Sequence, residues 1–320
     1  MDVCVHTNVH NGASVIRAYL DSLVQQTFKD FDLLIVDDGS TDHTLKIVDD
    51  YREILSIQVL SLSHVGLTEA RAVGMQNVAA DICIILDADE IVEPHALERF
   101  IQPFSDPAIG AVGGRVVSWG TGWSARGARM LREAIHRLRK TGDENTWAVS
   151  GGSIAVRVEA VRSLGGFTSA PGVAEDYDIS WRLQDQGWRV VSKDDIIVYH
   201  RDPVTLWATF KHKFVIGQRA LHTLWLHRRR LLDWRSIVVF YPLGILILAV
   251  LDARLALFVL MATLLGVVIL LRGADGSLID RLYGWIFLNV YSTAYALGFL
   301  YELLRTAIRV LVRIPYAESE

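Results

Sequence analysis

The chain has 320 residues, enough for one large domain with an appendage, and its net charge of -4 gives no reason to expect nucleic acid as a partner. Hydrophobic residues make up 51% and the mean hydropathy is +0.29, yet residues 1–200 read as an ordinary soluble domain and the surplus falls after Ser236. The two cysteines, Cys4 and Cys83, lie in apolar runs; so sparse a pair excludes a disulfide framework and points to a reducing compartment.

The first hundred residues alternate strand and helix. Residues 3–5 are a short apolar strand, with no basic leader or apolar run ahead of it, so no signal peptide is expected. Residues 13–26 are helical, with Ile16, Leu20, Leu23 and Val24 on one face. A second strand, 31–36, runs into the turn Asp37-Asp38-Gly39-Ser40. Ser40 or Thr41 is then the expected N-cap of a helix over 44–51. A strand over 57–62, a helix over 68–80 and a fully apolar strand over 82–86 follow. This alternation predicts a parallel sheet with helices on both faces. Ligands of such sheets bind beyond the carboxyl ends of the strands, where the clusters Asp37-Asp38 and Asp87-Ala88-Asp89 fall.

Residues 105–200 read as less regular, punctuated by Gly113-Gly114, Gly151-Gly152 and Gly165-Gly166. Within them, 174–187 is a helix that begins with Glu175-Asp176. Residues 189–191 and 196–199 read as two strands, and His200 follows the second. Beyond Asp202, residues 206–226 combine Trp207, Phe210, Phe214 and Trp225 with Lys211, Lys213 and Arg219, which suits a helix lying in a membrane interface. After Arg228-Arg229-Arg230 and Arg235 come apolar stretches at 236–251, 255–271 and 282–301, giving two or three expected membrane spans. The basic run ahead of them places the N-terminal domain on the cytosolic side. Arg305, Arg309 and Arg313 form a basic stripe on the tail, which fits an anionic cytosolic leaflet; three full spans would instead put that tail outside.

Two carboxylates one residue apart, just past a buried strand, are set for chemistry. Carboxylate oxygens are hard ligands for Mg²⁺ or Mn²⁺ and, through the ion, for a diphosphate. Transfer of a sugar from a nucleoside diphosphate needs such an ion, because the departing group carries growing negative charge.

The motifs then assemble into a resemblance. Asn11-Gly12-Ala13, Gln26-Thr27-Phe28, Val36-Asp37-Asp38-Gly39-Ser40, Gly66, Ala70-Arg71, Gly74 and Leu86-Asp87-Ala88-Asp89 resemble the start of a family 2 glycosyltransferase. Gly165-Gly166-Phe167, Glu175-Asp176-Tyr177-Asp178, Trp181-Arg182-Leu183, Gly187-Trp188 and Val198-Tyr199-His200 continue the match in order, to about residue 220. The resemblance implies an α/β fold: a GT-A, Rossmann-like catalytic domain over 1–204. Interfacial helices would occupy 205–235, an α-helical membrane domain 236–304 and a basic tail 305–320.

The same resemblance implies roles. Asp176 is the expected general base, with Glu175 beside it. Asn8, His10, Asn11, Asp38, Arg71, Asp87 and Ala88 would hold the nucleotide sugar. Asp38 would take a base N–H, with Asp37 as a structural partner of its turn; Arg71 would sit near the base or diphosphate. Asp89 and His200 are the expected metal ligands, and Gly151, Gly152, Trp181 and Arg182 would face the acceptor. Asn8 and His10 depart from the family's usual Pro and aromatic residue, so the base is left open among UDP-, GDP- and dTDP-sugars. The Q-x-x-R-W signature of processive synthases does not follow Gln218-Arg219, which points to addition of one sugar.

A sugar hydroxyl needs a base and a lipid phosphate does not. The resemblance implies an inverting transfer, and Asp176 favours a hydroxyl of a lipid-linked saccharide as its acceptor, with the cations of 206–226 meeting the lipid pyrophosphate. The alternatives are a polyprenyl-phosphate glycosyl synthase and a catalytically silent scaffold of the same fold.

Overall fold

Runs of branched apolar residues build one half of an eight-stranded sheet in the computed structural model, which describes residues 1–120, 122–139, 145–146, 148–149, 152–170, 172–227, 241–272 and 275–312. Strands β1 (Val3–Val9), β2 (Asp32–Asp37), β3 (Ile57–Ser61) and β4 (Ile82–Leu86) pair in parallel, in the order β3-β2-β1-β4. Helices α1 (Ile16–Val24), α2 (Thr44–Asp49) and α3 (Leu67–Asn77) connect them. The period of two is visible in the packing. Val3, Val5, Leu33, Ile35, Ile82 and Ile84 share a core with Ile16, Leu20 and Leu23 of α1. Cys4, Leu34, Val36, Cys83 and Ile85 face the opposite way, onto Ala70, Ala72 and Met75 of α3. Burial pushes the Cys4 thiol up to about 11, as an inert core residue requires. The α2 N-terminus is held by Asp42, whose carboxylate accepts from the Thr44 N–H at 3.0 Å, and not by Ser40 or Thr41.

The other half of the sheet departs from the all-parallel expectation. After β5 (Glu90–Val92) and α4 (Ala96–Ile101), β6 (Ile109–Trp119) leads to α5 (Trp123–Arg139), then β7 (Ser153–Arg157), α6 (Val158–Ser163), α7 (Glu175–Asp185) and β8 (Arg189–Arg201). The order continues β4-β7-β6-β8-β5, with β7 antiparallel to both neighbours, β6 parallel to β8 and β5 antiparallel to β8. What reads as two strands at 189–191 and 196–199 is the single strand β8. The polar residues between them sit at a register shift, where Gly114 pairs with Lys193 and Arg115 with Ile197. This geometry brings the carboxyl ends of β1, β2, β4 and β8 and the amino end of β7 to one rim.

The sheet and its helices form one compact unit, residues Met1–Trp119 and Lys140–Arg201; Gly120–Arg139 and Asp202–Glu320 form a second, helical unit. The latter comprises α5, α8 (Leu206–Leu226), α9 (Tyr241–Leu251), α10 (Ala253–Leu270) and the 35-residue α11 (Leu278–Val312). Helices α8 and α11 meet at glycine. A Cβ on Gly217 would lie 2.0 Å from the Tyr295 carbonyl oxygen, and one on Gly298 equally close to that of Phe214. The stretch 282–301, expected as a span, is therefore part of a helix that buries Ser292, Ala294, Ala296 and Glu302. Among the described residues one helix, Ala253–Leu270, is long and apolar enough to cross a membrane, rather than the two or three expected. Of the expected span 236–251, residues 241–251 form a helix and 236–240 lie outside the described residues. The basic run 228–230, Arg235 and Arg313 lie outside the described residues, while Arg305 continues α11 and faces Glu302 at 3.4 Å.

Candidate active site

The rim gathers carboxylates around one arginine. Arg71, on α3, is buried and spans two of them. Its Nη2 donates to Asp87 Oδ1 at 2.7 Å, at the end of β4, and its Nη1 donates to Glu175 Oε1 at 2.6 Å, at the start of α7. Only a planar, forked donor can serve both acceptors at once. Arg71 is thus a buried rim residue, not a surface one, and Glu175 is buried as its counter-ion. Asp176, next along the helix, is half-buried; its Oδ1 accepts from the Tyr177 N–H at 2.9 Å, one of the orphan donors of the first helical turn.

Glu90 lies under this cluster and escaped the sequence reading, although it is the fourth residue of Asp87-Ala88-Asp89-Glu90. It opens β5 and turns inward, accepting from the Asp87 N–H at 3.1 Å and from Ser153 Oγ at 3.0 Å. Burial first, and then the negative charge of Asp87, holds its carboxyl well above the usual range. Gly152 completes the packing. A Cβ there would stand 2.3 Å from Asp87 Oδ2 and 2.9 Å from Glu90 Oε1, so only glycine fits against the two acids. Gly151 lies outside the described residues.

A second cluster closes the ends of β1 and β2. The buried Asp38 carboxylate accepts from the Val65 N–H at 2.6 Å and the Gly66 N–H at 2.8 Å, tying the loop before α3 to the sheet. Asp37 accepts from the Ser40 N–H at 3.3 Å, within its own turn. Asn11, at a left-handed φ of 51°, accepts from the Thr41 N–H at 2.9 Å, which fixes its amide; its Nδ2 then donates to His10 Nε2 at 3.0 Å. His10 is accordingly the neutral Nδ1–H tautomer, donating to the Asp38 carbonyl at 2.8 Å. His64 donates to the same carbonyl at 3.2 Å and lies with its ring centroid 4.1 Å from that of His10. No sequence signal marks His64, because loops carry no periodicity. Asn8 is buried, its Oδ1 3.3 Å from His6 Nε2, and Ala88 is buried behind the acidic turn.

Two residues expected on the acceptor side are committed elsewhere. Trp181 is buried beside Tyr177, with centroids 5.7 Å apart. Arg182 donates to Asp178 and to the carbonyls of Leu164, at 3.0 Å, and Gly166, at 2.8 Å, holding the Gly165-Gly166 turn.

Asp89 and His200 fit a divalent ion. Asp89 Oδ2 and His200 Nε2 are 3.7 Å apart, too far for a hydrogen bond and close enough to share an ion, and both side chains reach solvent. Among the described residues no group of three or more His, Cys, Asp or Glu converges on one point. A Mg²⁺-type ion is commonly held in this way, by one or two protein ligands with water and phosphate oxygens completing its shell.

A family model, glycosyl transferase family 2, matches residues 4–165, half of the chain. The chain is 30% identical over 208 residues to a pre-mycofactocin glycosyltransferase of Mycobacterium tuberculosis, a match over 62% of this chain and 42% of that protein's length. It is 26% identical over 242 residues to the O-antigen chain rhamnosyltransferase RfbN of Salmonella typhimurium, covering 71% of this chain and 75% of that one. Among solved structures, the mannosyltransferase PcManGT from Pyrobaculum calidifontis, in complex with GDP-Man and Mn²⁺, superposes with a TM-score of 0.63 at 18% identity over 95% of this chain and 87% of that one. S. aureus TarS 1-349 in complex with UDP-GlcNAc superposes with a TM-score of 0.52 at 17% identity, over 96% of this chain and 92% of that fragment. At these identities the structural likenesses carry the fold alone, and the fold is GT-A-like.

Proposed function

The chain belongs to glycosyl transferase family 2, and on that premise we propose that it moves one sugar, with inversion, from a nucleotide sugar to a hydroxyl of a lipid-linked saccharide. The observation that carries this reading is the division of labour at the rim. Arg71 neutralises Asp87 and Glu175, while Asp89, with 39% of its side chain exposed, lies beside His200, and Asp176 is half-buried in the first turn of α7. The donor would lie across the ends of β1, β2 and β4, with its base near Asp38 and His10 and its diphosphate at Asp89. A divalent ion, Mn²⁺ or Mg²⁺, supplies Lewis-acid stabilisation of the departing diphosphate when bound. The solved structures with GDP-Man and Mn²⁺ and with UDP-GlcNAc support a nucleotide-sugar donor and a metal.

Asp176 takes the proton from the acceptor hydroxyl as that oxygen attacks the anomeric carbon. The α7 N-terminus stabilises its ionised form. The Arg71–Glu175 pair fixes the first turn of α7 against the end of β4, and so sets the base relative to the donor. The helix Ala253–Leu270 and exposed Leu257, Phe258, Met261 and Leu265 on it support a membrane-held chain, and the basic sequence Arg228-Arg229-Arg230 favours the cytosolic side for the catalytic unit. The rhamnosyl transfer to an O-antigen chain named for RfbN supports a saccharide acceptor.

Asp176→Asn tests the reading. Transfer is expected to fall by about 10²–10⁴-fold while nucleotide-sugar binding, measured by calorimetry, is unchanged. Transfer at the wild-type rate would mean that no hydroxyl is being deprotonated, and a lipid phosphate would replace the saccharide as acceptor.

A further inference from the structure

Helix α8 presents a surface that the transfer chemistry does not use. At about 100° per residue, Trp207, Lys211, Val215 and Trp225 fall within an arc of about 80°. That arc is exposed: Trp207 keeps 64% of its surface open, Val215 45% and Trp225 67%. The opposite side carries Thr209, Gly217, Ala220 and Leu224, all buried, and Gly217 there meets the Tyr295 backbone of α11. Aromatic contacts tie the stripe to the same helix. Trp207 stacks on Phe210 with centroids 5.5 Å apart, Phe210 on Phe214 at 6.3 Å, and Phe214 reaches Tyr301 of α11 at 5.7 Å. Lys211 lies over the Trp207 ring at 5.8 Å, and α8 contains no Asp or Glu.

The composition of the stripe and the helix that accompanies it say what covers it. Trp and Lys each have an apolar body and a polar end, which suits the boundary between lipid headgroups and acyl chains. The two tryptophans are about 27 Å apart along the helix, so a helix lying flat puts both at one depth. The 21 residues of α8 are enough to span a bilayer, but Lys211, Lys213 and Arg219 within them oppose that. The same helical unit contains α10, which is long and apolar enough to cross a membrane and exposes Phe258, Met261 and Leu265. The bilayer that α10 would enter is the apolar and anionic surface that the stripe fits.

We infer that α8 lies in the plane of the bilayer surface, with Trp207, Val215 and Trp225 at the boundary of headgroups and acyl chains and Lys211 at the lipid phosphates. The inference deepens the membrane-held part of the proposed function and rests on it; it does not depend on sugar transfer.

The test is nitroxide labelling of one introduced cysteine at a time in the full chain, held in nanodiscs of phosphatidylcholine and phosphatidylglycerol. Collision is read with oxygen, which concentrates in lipid, and with a water-soluble nickel chelate. Cys4 and Cys83 are buried, so the unsubstituted chain is expected to take up no label. Labels on Lys211→Cys and Val215→Cys are expected at one shallow depth, reached by both reagents. The label on Met261→Cys, near the middle of α10, is expected to be deep and reached by oxygen alone. Adding Lys211→Glu to the Val215→Cys chain is expected to raise nickel collision about fivefold, because a carboxylate would then face the lipid phosphates. No rise would overturn the place of Lys211 at those phosphates. Water-like values for both α8 labels, with the α10 label deep, would overturn the inference and leave the membrane-held reading standing; water-like values for all three would overturn both. If neither reagent reached the α8 labels, a second copy or another protein would be the partner and the lipid would be excluded. Values for α8 as deep as for α10 would make it a span and overturn the flat arrangement.

Discussion

The two halves of the sheet meet at one rim but are built by different rules. In the parallel half, β3-β2-β1-β4, acidic residues follow apolar strands directly, and their place at the rim comes from chain direction alone. In the other half, β7-β6-β8-β5, the rim residues arrive by long-range contact: Gly152 against Asp87, Glu175 through Arg71, and His200 beside Asp89. The comparison teaches that the parallel half places single carboxylates and the arginine that pairs with Asp87, while the second half brings Glu175, Gly152 and His200 against them.

Breaking the link between the halves should have the largest effect. Arg71→Met removes one cation and leaves Asp87 and Glu175 facing each other in a buried site. A loss of about 3–5 kcal/mol in chemical denaturation is expected, with Arg71→Lys recovering part of it, since an ammonium lacks the fork. A variant as stable as wild type would mean that the two halves are held by packing alone. Gly152→Ala sharpens the same comparison from the second half. Its methyl group would displace the Asp87 carboxylate, and donor turnover should fall about 10²-fold with a much smaller change in stability. Unchanged turnover would separate Gly152 from the chemistry.

The smallest effect concerns Glu90, and it depends on pH. Its carboxyl is held high in the folded chain, so the folded state binds this proton more tightly than the unfolded one. The stability it contributes is present below the ordinary glutamate range and is lost as pH rises through its raised value. Glu90→Gln keeps the shape and removes the titration. Its melting temperature should match wild type near pH 4 and exceed it increasingly towards alkaline pH. Parallel pH profiles for the two proteins would show that the Glu90 carboxyl is not held above its ordinary range.

The same division explains what was legible in the sequence. Apolar runs such as 82–86, ending in Asp87 and Asp89, gave both the strands and the rim, because local pattern and chain direction suffice there. Strand β8 was split because its polar residues sit at a register shift against β6, which depends on the partner strand. Arg71 offered a helix position but not its depth: it is buried only because α3 packs against β1 and β2 while α7 brings Glu175 from 104 residues away. Glu90 and His64 escaped for related reasons, one turned inward by a three-residue strand and the other fixed by hydrogen bonding in a loop. In the helical unit, one described helix is long and apolar enough to cross a membrane, and α11 spends small residues on packing against α5 and α8.

The central claim is that Asp89, with His200, supports metal-dependent departure of a nucleoside diphosphate. The measurement is consumption of UDP-, GDP- and dTDP-sugars by the full chain with Mn²⁺, with Mg²⁺ and with EDTA, alongside Asp89→Ala. The expected result is turnover of at least one donor that requires the added metal and falls about 10³-fold in Asp89→Ala. Turnover that persists in EDTA and survives Asp89→Ala would contradict it.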